Sequence, residues 1–237
     1  MRKLVIIPAY NESKNIKRVI EEIRQYNPDT DILVVDDCSS DNTGRIAKNT
    51  GVKVIRHVFN SGYGAALQTG YKYAIYKNYD IVAQIDGDGQ HDPSYLDDLF
   101  EKLQKNGFDF VIGSRFSASP RKYHMSFLRK LGMRFFQLLI YLFINKKISD
   151  PTSGYQVLGK EVFSLFANGN VFPSDYPDAD VIVLLHYAGF HVTEVPVVMY
   201  ENTTGQSMHS GFKPLYYVVK MLLSLFIVRL NKNTRQV

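Results

Sequence analysis

The 237-residue chain has a net charge of +5, with 45% hydrophobic and 22% charged residues, a balance that suits a globular protein with a sizeable core. Its single cysteine, Cys38, excludes an internal disulfide. The opening apolar run, residues 4–7, is too short for a secretory signal and no cleavage site follows, so a cytoplasmic location is expected.

In chain order, residues 4–7 read as a strand buried on both faces. Asn11, Glu12 and Ser13 form a loop, and Ile16, Val19, Ile20 and Ile23 recur at helical spacing. A second strand is predicted at 32–35, a helix capped by Asp41-Asn42-Thr43, and a third strand at 52–55. A helix opens across 62–70, followed by a strand at 81–85, a helix at 93–103 and a strand at 108–112. Beyond these come helices at about 126–144, 180–188 and 214–230, a turn at 150–154 and a strand at 192–198. The alternation predicts an α/β fold, Rossmann-like, with a mostly parallel doubly wound sheet whose ligands bind beyond the carboxyl ends of the strands.

The positive charge is unevenly spread. Residues 116–149 contain seven Lys or Arg and no acid, and residues 202–237 contain five and no acid. Both segments hold apolar runs bracketed by basic residues, Arg134 and Lys146 in one, Lys220 and Arg229 in the other. Neither run reaches the roughly 20 apolar residues of a spanning helix. They read either as core helices with solvated basic residues or as amphipathic helices lying in the interface of an anionic leaflet. Nucleic acid is disfavoured because the basic residues accompany apolar helices.

Polar clusters sit where the predicted strands end. Asp86-Gly87-Asp88-Gly89-Gln90 places two carboxylates one residue apart after the fourth strand. Such hard oxygens suit Mg²⁺ or Mn²⁺, with Gln90 as a third oxygen; the alternative is a polar turn in which Asp86 and Asp88 cap the following helix. Asp36 and Asp37 follow the second strand, where they would accept hydrogen bonds from a base or ribose, or simply shape a turn. Tyr10, after the first strand, offers a ring to pack on a base. Gly62-Tyr63-Gly64 precedes a helix but follows the third strand, so its likeness to a dinucleotide fingerprint is weak.

Six segments in order carry a more specific resemblance: Ile7-Pro8-Ala9-Tyr10-Asn11-Glu12, Val35-Asp36-Asp37-Cys38-Ser39-Ser40-Asp41-Asn42-Thr43, Asn60-Ser61-Gly62-Tyr63-Gly64, Asp86-Gly87-Asp88-Gly89-Gln90, Gly113-Ser114-Arg115-Phe116 and Asp150-Pro151-Thr152-Ser153-Gly154. Over about residues 3–200 the chain resembles family 2 glycosyltransferases, and within them the dolichol- or polyprenyl-phosphate sugar transferases. That resemblance implies the GT-A fold, an inverting mechanism, a nucleotide-sugar donor and a divalent cation, Mg²⁺ or Mn²⁺. It implies Pro8, Ala9, Tyr10, Glu12, Asp36, Asp37, Gly64, Asp86 and Gly87 around the nucleotide, and Asp86, Asp88 and Gln90 at the metal. Arg115 and Arg129 fall near the donor and acceptor phosphates, with Arg134 in second place for the acceptor. Asp150 orients the sugar or an arginine, or is a turn residue before Pro151; Asp178 and Asp180 are further carboxylates. With a polyprenyl-phosphate acceptor the attacking oxygen is already anionic, whereas a sugar-hydroxyl acceptor would require a carboxylate base.

The expected organisation is a catalytic domain over residues 1–200, including the amphipathic helix near 126–144, and a basic amphipathic membrane-facing helix within 201–237. Many members of the family carry transmembrane helices after the catalytic domain, where this sequence shows one amphipathic segment. A peripheral position on the cytoplasmic face of a membrane follows, although the apolar helices leave a second copy of the chain open as a partner. A sugar-nucleotide pyrophosphorylase is disfavoured, since Pro8-Ala9-Tyr10-Asn11-Glu12 lacks the Gly-rich basic loop of those enzymes. A non-catalytic nucleotide- or membrane-binding module is the remaining alternative, and it predicts no consequence of replacing Asp88.

Overall fold

The computed structural model describes residues 1–105, 107–117, 127–168, 172–175, 177–200 and 213–230. At 127–129 and 213–217 the description is of the backbone alone. Seven strands form one sheet: β1 (Lys3–Ala9), β2 (Asp31–Asp36), β3 (Lys53–Arg56), β4 (Ile81–Gln84), β5 (Phe110–Ser114), β6 (Gln156–Gly159) and β7 (Val192–Pro196). Their spatial order is β3-β2-β1-β4-β6-β5-β7. All neighbouring pairs are parallel except those made by β6, which runs against both β4 and β5.

Successive side chains leave a strand on opposite faces, and both faces of β1 are buried. Leu4 and Ile6 enter a core with helices α3 (Tyr63–Tyr76), α5 (Phe127–Ile144), α6 (Lys160–Asn168), α7 (Ala179–Tyr187) and α8 (Lys213–Leu230). Val5 and Ile7 enter a second core with α1 (Ile16–Tyr26), α2 (Thr43–Asn49) and α4 (Leu96–Lys105). Ile16, Val19, Ile20 and Ile23, the apolar stripe of the sequence, are the buried face of α1.

The chain winds outward from β1 through β2 to β3 and then returns to place β4 on the other side of β1. This reversal opens a crevice at the carboxyl ends of β1 and β4, the usual ligand position in such sheets. The reversed strand adds to it: Gln156, the first residue of β6, pairs with Gln84 at the end of β4 and with Ile112 near the end of β5. The turn before β6 therefore lies at the same edge. Buried Gln84 fastens it there, accepting from Tyr71 Oη (2.6 Å) and donating to Gln156 Oε1 (2.9 Å) and the Gly154 carbonyl (3.1 Å).

Several boundaries differ from the sequence reading. The fifth strand is shifted forward to Phe110–Ser114, and the helix predicted at 93–103 begins as a 3-10 turn, Pro93–Tyr95, before α4. Strand β6 and helix α6 were not predicted; β6 is only four residues long and runs directly into α6.

Among the described residues, no helix is long and apolar enough to cross a membrane. Both basic helices have an apolar side in the core and an apolar side outside it. Leu131, Phe135, Leu138 and Leu142 of α5 are exposed, while Phe136, Ile140 and Ile144 are buried. Helix α8 buries Met221 and Leu225 and exposes Leu223, Phe226, Ile227 and Leu230.

Candidate active site

Two turns meet above the β1–β4 crevice. After β2, buried Asp36 accepts from the Ser39 amide (2.9 Å), and its Oδ2 lies 3.2 Å from Arg56 Nη1, an ion pair rather than an aligned hydrogen bond. Buried Asp37 accepts from the Ser61 amide (2.8 Å) and His57 Nδ1 (2.7 Å) on Oδ1, and from the Gly62 amide (2.8 Å) on Oδ2. Asp41 accepts from the Ser13 and Thr43 amides. Burial alone would raise Asp41, but the hydrogen bonds from Thr43 and Ser13 outweigh it and hold its pKa below the ordinary value.

The turn after β4 has fewer donors and more charge. Asp86 Oδ1 accepts from the phenol of Tyr63 at 2.7 Å, and Asp88 Oδ1 accepts from the Gln90 amide at 3.0 Å. Burial raises the pKa of Asp86, against the Tyr63 hydrogen bond and the charge of Arg115. Burial and then the charge of Asp86 raise Asp88, with His91, Gln90 and Arg18 opposing. Burial likewise raises Glu12, a hydrogen bond from Asn15 opposes, and the charges of Asp88, Asp86 and Asp41 add to the rise. These three partly buried carboxylates carry more negative charge than their hydrogen-bond donors offset, the condition a cation relieves.

The capping alternative is answered by a different residue. The helix after Pro93 is capped by Asp92, whose Oδ1 accepts from the Ser94 amide at 3.0 Å. Asp86 and Asp88 are left to face the crevice. A Cβ added at Gly87 would lie 3.4 Å from both the Ala9 side chain and the Pro8 carbonyl, so the turn after β4 sits close to the end of β1. Tyr10 is half exposed at the rim. Gln90 donates from its amide to the Tyr200 carbonyl (3.1 Å), tying the turn to the segment after β7.

Arg115, at the end of β5, is held by Asp150, which is fully buried. Its Nε and Nη2 donate to the two carboxylate oxygens at 2.7 and 2.6 Å, and Nη2 also reaches Thr152 Oγ1 at 3.1 Å. This planar two-point pairing fixes a positive charge close enough to lower both Asp86 and His91. Asp150 pairs with an arginine and also opens the turn before β6, its carbonyl accepting from the Ser153 amide at 3.4 Å. Asp150 is itself positioned by Glu194 of β7, which accepts from the amides of Ser149 (2.8 Å) and Asp150 (2.9 Å).

The remaining sequence candidates lie elsewhere. Arg129 is in the first turn of α5, its side chain outside the described residues, and Arg134 is exposed further along that helix. Gly64 is buried where the Pro173–Ser174 backbone crosses the start of α3; an added Cβ would lie 2.0 Å from the Pro173 carbonyl, so close packing accounts for this glycine. Asp178 precedes α7. Buried Asp180 accepts from Ser224 of α8 and serves helix packing.

Three residues of the site were not assigned from sequence. Tyr63 lies inside a quoted segment and His91 directly follows one, but neither gives a separate signal. His91 is buried, stacked on Tyr155 (centroids 5.0 Å apart), and its Nδ1 accepts from the Asp86 amide. Burial first, then Arg115, holds its pKa down to about 4, so it is neutral at pH 7. Glu194 could have been noticed as an acid inside an otherwise uncharged strand.

The donor set suits a divalent cation. Among the described residues, no group of three or more His, Cys, Asp or Glu side chains is arranged to hold a metal ion. Asp86 and Asp88 supply two hard oxygens, the number with which Mg²⁺ is commonly held when phosphate and water complete the shell.

Known proteins share this fold and this family's sequence pattern. The model of glycosyl transferase family 2 matches residues 4–166. The undecaprenyl-phosphate mannosyltransferase of Micrococcus luteus is 29% identical, over 89% of this chain and 88% of its own length. The UDP-N-acetylglucosamine–dolichyl-phosphate N-acetylglucosaminyltransferase of Methanococcus voltae is 28% identical, over 92% of this chain and 94% of its own. Among solved structures, glucosyl-3-phosphoglycerate synthase of Mycobacterium tuberculosis, in complex with Mn²⁺ and UDP-glucose, superposes with a TM-score of 0.67 at 19% identity, covering 96% of this chain and 78% of that one. The fold is GT-A, and the chain belongs to glycosyl transferase family 2.

Proposed function

We propose that this glycosyltransferase moves a hexose or N-acetylhexosamine from a UDP- or GDP-sugar to a polyprenyl phosphate, with inversion, at a membrane surface. The observation that carries the reading is the arrangement at the crevice: Asp86 and Asp88 beside an Arg115 clamped by Asp150, with burial raising Glu12, Asp86 and Asp88 and the charge of Asp86 adding to the rise of Asp88 and Glu12. Asp86 and Asp88 would hold a Mg²⁺ or Mn²⁺, which would supply positive charge to stabilise a departing diphosphate. Arg115 adds a fixed positive charge on the same side, and its pairing to Asp150 keeps it oriented before substrate arrives. The anionic oxygen of the acceptor phosphate attacks the anomeric carbon, the bond from that carbon to the diphosphate oxygen breaks, and the nucleoside diphosphate leaves with the electron pair. With an acceptor already ionised, no side chain has to remove a proton.

The acceptor class is supported by the relatives, whose names specify undecaprenyl and dolichyl phosphates. It is also supported by the exposed apolar rows of α5 and α8, which with neighbouring Lys and Arg suit the surface of an anionic bilayer. The test is transfer of radiolabelled sugar from a panel of UDP- and GDP-sugars into organic-extractable polyprenyl phosphate, with Mg²⁺ or Mn²⁺ and with or without anionic vesicles. Labelled lipid made by the wild type and not by Asp88→Ala is the expected result. Donor cleavage without labelled lipid, or transfer to a sugar hydroxyl, would overturn the acceptor assignment; equal products from both proteins would overturn the role of Asp88.

A further inference from the structure

The turn after β2 and the turn after β4 are joined by one side chain. Tyr63 is the first residue of α3, and its phenol donates to Asp86 Oδ1 at 2.7 Å. The space for this contact is made by Gly154, where an added Cβ would stand 2.9 Å from the phenol oxygen and 3.0 Å from Asp86 Oδ2. Upstream, Asp37 binds the amides of the two residues before Tyr63. Asp37 is in turn held by His57, whose other ring nitrogen lies 2.9 Å from Thr69 Oγ1 on the next turns of the same helix. Thr69 also donates to the Ala65 carbonyl at 3.0 Å, closing the chain of bonds on α3.

We propose that Tyr63 is a positioning residue that pins one oxygen of Asp86 and presents the other to the cation, and that the partly buried Thr69–His57–Asp37 chain sets the direction of its phenol. The proposal rests on the metal-assisted reading above. A phenol that only satisfied a buried oxygen would need no such support. Here the backbone that precedes it is bonded at two successive amides to one carboxylate, which fixes the direction in which the ring leaves the helix start. Groups that orient metal-ligating carboxylates commonly change metal affinity or activity by about ten- to a hundredfold when removed.

The experiment is a titration of Mn²⁺, followed by the electron paramagnetic resonance signal of the free ion, with and without UDP or GDP. Wild type, Asp86→Asn, Tyr63→Phe, Thr69→Val and the Tyr63→Phe/Thr69→Val pair are compared, with melting curves for each. Tyr63→Phe is expected to bind Mn²⁺ about ten- to a hundredfold more weakly with an unchanged melting curve. Thr69→Val should weaken binding less, and add nothing once Tyr63 is Phe, because it acts through that ring. Tyr63→Phe within twofold of wild type while Asp86→Asn loses binding would overturn this inference alone. Full affinity in Asp86→Asn would remove the metal reading and this inference with it. Additive effects of Tyr63→Phe and Thr69→Val would overturn the proposed chain.

Discussion

The turns after β2 and β4 have similar compositions and different supplies of hydrogen-bond donors. In the first, Asp36, Asp37 and Asp41 are met by the amides of Ser13, Ser39, Thr43, Ser61 and Gly62 and by His57 and Arg56. In the second, Asp86 receives the Tyr63 phenol and the charge of Arg115, while Asp88 receives the Gln90 amide and the repulsion of Asp86. Burial acts on both turns; what differs is the supply of donors. A carboxylate surrounded by oriented N–H groups shapes a loop, whereas one short of them remains available to a ligand that brings positive charge.

The largest test of this contrast is Asp88→Asn. Loss of cation-assisted stabilisation of the leaving diphosphate is worth several kcal/mol, so turnover should fall about a thousandfold. The metal-free protein should melt no lower than wild type, because the substitution removes a buried like charge. A large drop in melting temperature would show that Asp88 supports the fold and would erase the distinction between the turns.

Asp150→Asn comes next. It breaks a buried two-point pair and leaves the Arg115 guanidinium partly uncompensated, a change that commonly costs about 3–5 kcal/mol of stability. Transfer should also decline, and melting curves alongside initial rates would show both losses. Unchanged stability would mean that Arg115 finds other partners and that the clamp is not structural.

Much of this arrangement could be read before the structure. The strands β1, β2 and β4 are continuous apolar runs because both of their faces are covered, and the acidic clusters stand at their ends. Strand β6 was not legible: four residues, opening on Gln156, whose place depends on bonding to Gln84, more than seventy positions earlier in the chain. The capping alternative for Asp86 and Asp88 stayed open for a similar reason, since Asp92 is an equally good cap in sequence and only the Ser94 contact decides. Tyr63 and Glu194 escaped notice because their partners are 23 and about 45 residues away, and a single distant contact leaves no periodicity.

Asp37→Asn probes the first turn. An amide presents one acceptor oxygen where the carboxylate has two, so its NH₂ would face a donor among Ser61, Gly62 and His57. Hydrogen bonds to charged groups are worth about 1.5–3 kcal/mol, and a stability loss of about 2 kcal/mol is expected by denaturant titration. The comparison sharpens if this loss coincides with weaker Mn²⁺ binding, because Asp37 then acts on the second turn through Tyr63. Loss of stability with full metal affinity would confine Asp37 to the loop.

The smallest effect is a difference in pH dependence, and its sign separates the two turns. Asp88 has a folded-state pKa raised by burial and by Asp86, so its folded form holds a proton more tightly than the unfolded chain does. The stability it contributes is present below the ordinary aspartate value, about 3.9, and is lost as pH rises through the raised value. Asp41 is lowered by Thr43 and Ser13 against the effect of burial, so its contribution is present above the ordinary value and lost as pH falls. In metal-free protein with chelator, wild type should therefore lose stability relative to Asp88→Asn as pH rises above about 4, and gain it relative to Asp41→Asn over the approach to that value from below. Adding Mn²⁺ should reverse the first slope, because a cation held by the carboxylate form stabilises the protein more as pH rises, and leave the second unchanged, since only Asp88 belongs to the proposed cation site. Parallel slopes for the two variants would mean that donor supply does not distinguish the turns, and the assignment of the metal to the β4 turn would lose its electrostatic basis.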